Sequence, residues 1–340
     1  MKTVERSFTL IVGAVDGKTR VDAYVAVNSE GLVSRALAGA KDTVILIDGV
    51  AAKRSRPVRE GQTVEVRWTE RCFEGVEPQD LPLQILYEDD DVLVIDKAQG
   101  MVVHPAAGNP DGTLVNALVY RYGASFARMD ADDDRSEDDA SSDDSDIPAP
   151  AIRPGIVHRL DKDTSGVMVV ARNRQAHAAL ARQFKDRTTE KYYIAIVKGR
   201  MPSRRGRIVT GIRRDAEDRK RFTVCPEEEG KRAETQYLVL RQYDGYALLR
   251  IRILTGRTHQ IRVHMQSIGH PVLGDSVYSR KDGSYPDASL MLHALQIRFD
   301  HPSNGGRVRF VAPMPPRFKA VLRSLSPLCS RPGDETMFLE

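Results

Sequence analysis

Cysteine is scarce in this 340-residue chain. Three occur, Cys72, Cys225 and Cys329, far apart, odd in number and without a CxxC pair. That excludes a disulfide framework and leaves a structural zinc site without its usual ligand spacing. A reducing cytoplasm fits such usage best. Long apolar runs are missing as well: the longest span a few residues, as in Val92-Leu93-Val94-Ile95, far short of the roughly 20 needed to cross a bilayer as a helix. Met1-Lys2-Thr3-Val4-Glu5-Arg6 leads into no apolar stretch and no small-residue cleavage site, so no secretory signal is expected. Common chemical signatures are absent too, with no Walker loop, no GxGxxG after a strand, no HExxH and no GxSxG. ATP, NAD and zinc mechanisms lose their usual footing. His104, His158, His259, His264 and His293 are too scattered to propose a metal shell, and neither a metal nor a cofactor is expected.

What is present is charge, unevenly spread. From Asp130 to Asp146 ten acidic residues face one basic residue, Arg135, a local balance of −9 against +4 for the whole chain, which leaves +13 on the other residues. A basic body favours a polyanionic partner through steering and counterion release. The acidic stretch runs on into Pro148-Ala149-Pro150. Its low hydrophobicity and self-repulsion cannot repay ordering, and residues 129–150 read as a disordered insertion in a loop, a solvated spacer rather than a domain boundary.

The length predicts two domains. Residues 1–70 read as a small unit: a helical pattern at Val21, Tyr24 and Val25, a second short helix opening at Ser34-Arg35, a strand over Val44 to Ile47, a turn at Asp48-Gly49, the basic run Lys53-Arg54-Ser55-Arg56 and a closing strand to Val66. This order resembles an S4-type RNA-binding domain, which implies docking on structured RNA; the segment after Ser34-Arg35 departs from the lysine-rich helix usual there. Residues 81–325 form a second unit dominated by strands. Thr235 to Tyr243 and Ala247 to Leu254 flank Asp244-Gly245, a hairpin signal, with Leu249, Ile251 and Ile253 alternating with Arg250 and Arg252. Helices are predicted over Asn173 to Lys185 and Thr258 to Ser267. With no βαβ alternation, the class is α+β with a mixed, mainly antiparallel sheet.

Between apolar stretches ending at Val157 and beginning at Val167 lies a polar loop, His158-Arg159-Leu160-Asp161-Lys162-Asp163-Thr164-Ser165-Gly166. Loops on rigid scaffolds hold reactive groups, and ion pairs closing a turn would give the same composition. Gly155-Ile156-Val157-His158-Arg159-Leu160-Asp161-Lys162-Asp163-Thr164-Ser165-Gly166 resembles the signature of the pseudouridine synthases that modify large-subunit ribosomal RNA. Three further motifs follow that family's order: Leu93 to Lys97 with Gly100 to Pro105, Lys191-Tyr192-Tyr193, and Thr255 to Met265 followed by Gly269 to Asp275.

The resemblance implies isomerisation of uridine. Uracil leaves C1′ of its ribose, turns and rejoins through C5, without cofactor or redox change. It makes Asp161 the catalytic carboxylate, as nucleophile or as the base that removes a sugar proton. Tyr193 would stack on the extruded uracil and take part in proton transfer. Arg262 would form a forked pair with Asp161 that keeps it ionised, with Arg257 as the alternative, whose duty is otherwise an RNA phosphate. Arg159 would fill the gap left by the flipped base. His158, Arg257, His259 and Gln260, with Lys53, Arg54 and Arg56, are read as RNA contacts, and the outward Arg250, Arg252, Arg298, Arg307 and Arg309 as phosphate contacts. Tyr192, on the opposite face of its strand, is assigned to core packing. The implied partner is large-subunit ribosomal RNA, as a stem-loop or within an assembling particle, met by a cytoplasmic monomer. A non-catalytic RNA-binding ribosome-assembly protein of the same shape, or a synthase of the same family acting on other uridines, is the competing reading, and a paired-carboxylate hydrolase using Asp161 and Asp163 a third.

Overall fold

Valines four apart at Val21 and Val25 mark one helix face, and both are fully buried in α1, Val21–Asn28. They pack on Ile45 and Ile47 of β2 (Thr43–Ile47) and on Val64 and Val66 of β4 (Thr63–Cys72). A computed structural model describes residues 2–15, 18–29, 33, 43–72, 76–105, 109–123, 126, 154–218 and 221–326, and in it the chain divides into two units between Val76 and Glu77. The acidic stretch 129–150 and the helix expected at Ser34-Arg35 lie outside the described residues.

The first unit is a four-stranded antiparallel sheet in the order β1-β4-β2-β3, with β1 at Lys2–Ile11 and β3 at Val50–Ala51. Asp48 and Gly49 have φ of 51° and 78°, the two positive values that a tight two-residue hairpin needs. The carbonyls of Arg54 and Arg56 accept the first amides of α1, those of Asp22 and Val21, satisfying donors that a helix start leaves open. The side chains of Lys53, Arg54 and Arg56 stay exposed.

The second unit is a ten-stranded mixed sheet ordered β10-β9-β11-β12-β8-β13-β7-β6-β5, with β14 also paired to β13. Its strands are β5 (Gln84–Glu88), β6 (Val92–Lys97), β7 (Ser165–Ala171), β8 (Glu190–Lys198), β9 (Arg205–Arg214), β10 (Phe222–Cys225), β11 (Lys231–Gln242), β12 (Tyr246–Ile253), β13 (Leu292–Asp300) and β14 (Arg307–Val311). The pairings are antiparallel except β13 with β7, so the α+β, mainly antiparallel architecture stands. At that parallel junction Gly166 lies opposite Ala294 with φ of 120°, and a β-carbon there would overlap the Ala294 carbonyl. Only glycine allows this approach.

Among the described residues four longer helices serve this sheet: α2 (Leu114–Tyr122), α3 (Arg174–Lys185), α4 (Gln260–Ser267) and α5 (Pro316–Ser324). Asn173 caps α3 through Ala176 N–H at 2.8 Å. The last helix before the site starts at Gln260 rather than at the expected Thr258, because His259 adopts a left-handed φ of 56°. Helices α2 and α5 were not anticipated: α2 buries its first six residues and so shows no polar face, and α5 is announced only by Pro316 at its first turn.

Candidate active site

Asp161 stands in the loop between Ile156 and β7, and that loop is held by its backbone. The Lys162 carbonyl accepts from Gly100 N–H at 2.9 Å and from Lys97 Nζ at 3.2 Å, and the Asp163 carbonyl accepts from Gln99 Nε2 at 2.8 Å. Lys97 is 1% exposed and gives its other protons to the Ala98 and Met101 carbonyls at 2.9 and 2.8 Å. A buried ammonium is costly unless each proton is used. Here the three acceptors tie the end of β6 to the residue beside Asp161. Burial pulls the Lys97 pKa down to about 8, against the raising charges of Asp161 and Asp163, so it stays cationic at neutral pH.

Arg262 comes from α4, where it is 6% exposed. Its Nε and Nη2 donate to Asp275 Oδ2 and Oδ1 at 2.7 and 2.9 Å, and its Nη1 donates to Asp161 Oδ2 at 3.2 Å. Asp275 Oδ1 also accepts the amides of Val277 and Tyr278 at 2.9 and 3.0 Å. His259 Nε2 lies 3.8 Å from Asp161 Oδ2, and its Nδ1 meets the Tyr278 hydroxyl at 2.8 Å. That hydroxyl also accepts from Phe222 N–H, so Tyr278 fixes the ring of His259 with its Nε2 turned toward Asp161.

Burial alone would raise the Asp161 pKa. The opposing charges of His259 when protonated, of Arg262 and of Arg159 outweigh it and hold the carboxyl below its ordinary value. Burial lowers the His259 pKa, which leaves Arg262 as the standing cation at neutral pH. Tyr193, 7% exposed on β8, has its phenol pushed up by burial and then by the charge of Asp161. It is therefore a neutral hydroxyl that keeps its proton at neutral pH.

The structure thus gathers Asp161, Arg262, His259 and Tyr193, with exposed Arg159 close enough for its charge to act on Asp161. Four expectations are corrected. The fork of Arg262 goes to Asp275, and Asp161 receives a single nitrogen. Gln260 is not an RNA contact: it is 3% exposed, and its amide bonds Thr255, Thr235, the Glu234 carbonyl and Arg257 N–H. His158 is likewise turned inward, stacked on Phe184 at 4.7 Å and accepting from Val169 N–H at 3.1 Å, with burial holding its pKa near 3. Tyr192 is not core: it lies under the Arg250 and Arg252 guanidiniums, 4.7 and 5.7 Å from its ring centre. The outward Arg298 and Arg307 lie within ion-pair range of Glu190, and Arg309 donates to Gln296. Arg257 donates through Nε to the Arg232 carbonyl.

Lys97, Asp275 and Tyr278 were missed as functional positions. The first two end motifs quoted above, so spacing alone pointed at them; nothing in the sequence marks Tyr278. Among the described residues one cluster, Asp89, Asp91 and His301, brings potential metal ligands within 4.8 Å of one another. Asp89 already accepts from the Asp91 and Val92 amides, Tyr87 and His301, which is the bonding of a β5–β6 turn.

Comparison with known proteins supplies the class. Residues 91–267 match the RNA pseudouridylate synthase family, and the chain belongs to it: an isomerase whose substrate is RNA. Among its relatives, an uncharacterized RNA pseudouridine synthase of Aquifex aeolicus is 44% identical over 291 residues, 83% of this chain and 85% of that protein. Ribosomal large subunit pseudouridine synthase D of Borreliella burgdorferi is 40% identical over 78% of this chain and 76% of its own length, and that of Zymomonas mobilis 42% over 73% and 74%. Of solved structures, human RNA pseudouridylate synthase domain containing 1 superposes with a TM-score of 0.53 at 27% identity, covering 73% of this chain and 90% of its own.

Proposed function

We propose that this enzyme converts uridines of large-subunit ribosomal RNA to pseudouridine in the cytoplasm, as a monomer, with Asp161 as the catalytic carboxylate. The observation that carries the assignment is an aspartate kept ionised by a buried arginine beside a buried, protonated tyrosine. In the reaction the N1–C1′ bond breaks, a C1′–C5 bond forms, the proton of C5 is released and N1 ends protonated. Asp161 either adds to the sugar or removes its 2′ proton. Tyr193 supplies a flat face for the extruded base, and Arg159, exposed at the mouth, stacks where the base has left. The relatives named for synthase D support the choice of RNA, and the first unit, with its exposed Lys53, Arg54 and Arg56, serves as the S4-like module that grips structured RNA.

The test is carbodiimide-dependent primer extension on large-subunit ribosomal RNA from cells lacking this protein, complemented with wild type or with Asp161→Asn. Wild type is expected to restore specific stops and Asp161→Asn none, while the variant still binds RNA. Restoration by Asp161→Asn would remove Asp161 from the chemistry, and stops that never change would remove large-subunit RNA as substrate.

A further inference from the structure

We propose that a recess at the end of α3 holds a backbone phosphate of the substrate RNA, a few nucleotides from the base that is isomerised. The inference rests on the RNA-modifying reading above and extends it to a subsite. The recess, about 170 Å³, is lined by Arg187, Thr189, Arg232, Glu234, Arg252 and Thr255. Three guanidiniums from three segments line it beside one carboxylate, and of the three Arg232 bonds that carboxylate. Glu234 is shared, bonding Arg207 at 2.7 Å and Arg232 at 3.3 Å, and Arg232 also bonds Glu227 at 2.7 Å, so the positive balance of the recess comes from Arg187 and Arg252. The side chain of Arg187 is exposed and meets no acceptor among the described residues, nor does the Thr189 hydroxyl. A phosphodiester offers what this set lacks: a single negative charge with oxygens that accept from a guanidinium fork and a hydroxyl.

Arg187 sits where stability would choose another residue. It follows α3 with φ of 58°, its amide bonded to the Phe184 carbonyl and the next amide to that of Gln183. This is the left-handed helix stop at which glycine is usual, because a β-carbon is disfavoured there. An exposed, unpaired arginine contributes nothing to the core that offsets this strain. Its position on the path of the RNA does account for it. Thr189 precedes β8 and shares a face with Lys191 and Tyr193. From Thr189 to Tyr193 is about 13 Å at roughly 3.3 Å per residue. Lys191 lies between them with its ammonium 5.4 Å from the Phe184 ring, and Thr255 opens the turn that leads through Arg257 to Arg262.

The experiment measures binding of a large-subunit ribosomal RNA transcript by the full chain at several salt concentrations, for wild type, Arg187→Gly and Arg187→Lys, with pseudouridine formation and melting temperature followed alongside. Arg187→Gly relieves the backbone and removes the charge. It is expected to melt no lower than wild type, yet to lose about 0.7 to 0.9 of salt slope, roughly six-fold in affinity at 0.1 M salt. Arg187→Lys keeps the charge and is expected to keep the slope. An unchanged slope in Arg187→Gly overturns the subsite. Failure of wild type to form pseudouridine would instead overturn the enzymatic reading alone, because the slope difference still decides the recess.

Discussion

Asp275→Asn tests whether Arg262 is held in place for chemistry. The Asp275 side chain is 0% exposed and that of Arg262 7%, so their fork is a buried ion pair, and removing one partner costs about 3 kcal/mol or more. Asparagine keeps Oδ1 for the amides of Val277 and Tyr278 and for Arg262 Nη2, but turns an NH2 toward Arg262 Nε, donor against donor. In a unit of this size about 3 kcal/mol lowers the melting temperature by roughly 6 to 12 °C, which leaves a domain melting in the ordinary range of about 45–65 °C folded at 25 °C. With one arm of its fork lost, the guanidinium is free to shift toward Asp161. Displacing a group at the reacting centre by about 1 Å costs on the order of 100-fold, or about 2.7 kcal/mol of barrier. The assay is release of tritium from transcript carrying [5-³H]uridine, since C5 exchanges its hydrogen for C1′. At 25 °C kcat is expected to fall about 100-fold while KM stays near that of wild type. A lowered melting temperature with kcat unchanged would show that Asp275 serves the fold alone and refute the positioning argument.

Two other predictions follow from the same geometry. Gly166→Ala drives a β-carbon into the Ala294 carbonyl at the β7–β13 junction and adds backbone strain, so a loss of about 3 kcal/mol, read by urea titration, is expected; a change within 0.5 kcal/mol would mean that the junction yields freely. The acid limb of kcat/KM should fall below pH 6.5, because both groups at the site that titrate there are displaced downward: His259 from its ordinary 6.5 and Asp161 from 3.8. By linkage, the stabilising contribution of Asp161 is complete above its unfolded value and fades only as pH falls through the lower folded one. The buried neutral His259 begins to cost stability as pH drops below 6.5. A wild-type limb centred at or above pH 6.5 would contradict both displacements.

The sheet was legible where side chains alternate against a single buried face. Leu249, Ile251 and Ile253 of β12 are buried and Arg250 and Arg252 exposed, as their spacing requires, and Asn173 and Gln260 bracket helices close to where polar punctuation placed them. Strand order was not legible, because pairing β13 with β7 joins segments more than a hundred residues apart and depends on Gly166 admitting a neighbour, not on any local pattern. Within the site, the charge types could be read but not their partners. His158 and Gln260 carry the polarity of RNA contacts and spend it on a backbone amide and on buried hydroxyls. Polar residues next to reactive ones serve ligand and scaffold with the same functional groups, and only burial separates the two uses.

The correction to the arginine fork bears directly on reactivity. A bidentate pair between Arg262 and Asp161 would occupy both carboxylate oxygens, and charge-assisted bonds of that kind are the strongest a carboxylate makes in proteins. Such a group is firmly ionised and correspondingly unreactive, because whatever it does to the sugar must first break one of those bonds. In the observed arrangement Asp275 takes the fork, and Arg262 presents only Nη1 to Asp161 Oδ2, with His259 Nε2 near the same atom. Oδ1 of Asp161 has no hydrogen bond among the described residues. One oxygen thus secures the charge, and in the proposed mechanism the other meets the substrate. Asp275 is what makes that division possible, since without it the guanidinium has two more nitrogens to satisfy in a dry site and a single carboxylate on which to satisfy them.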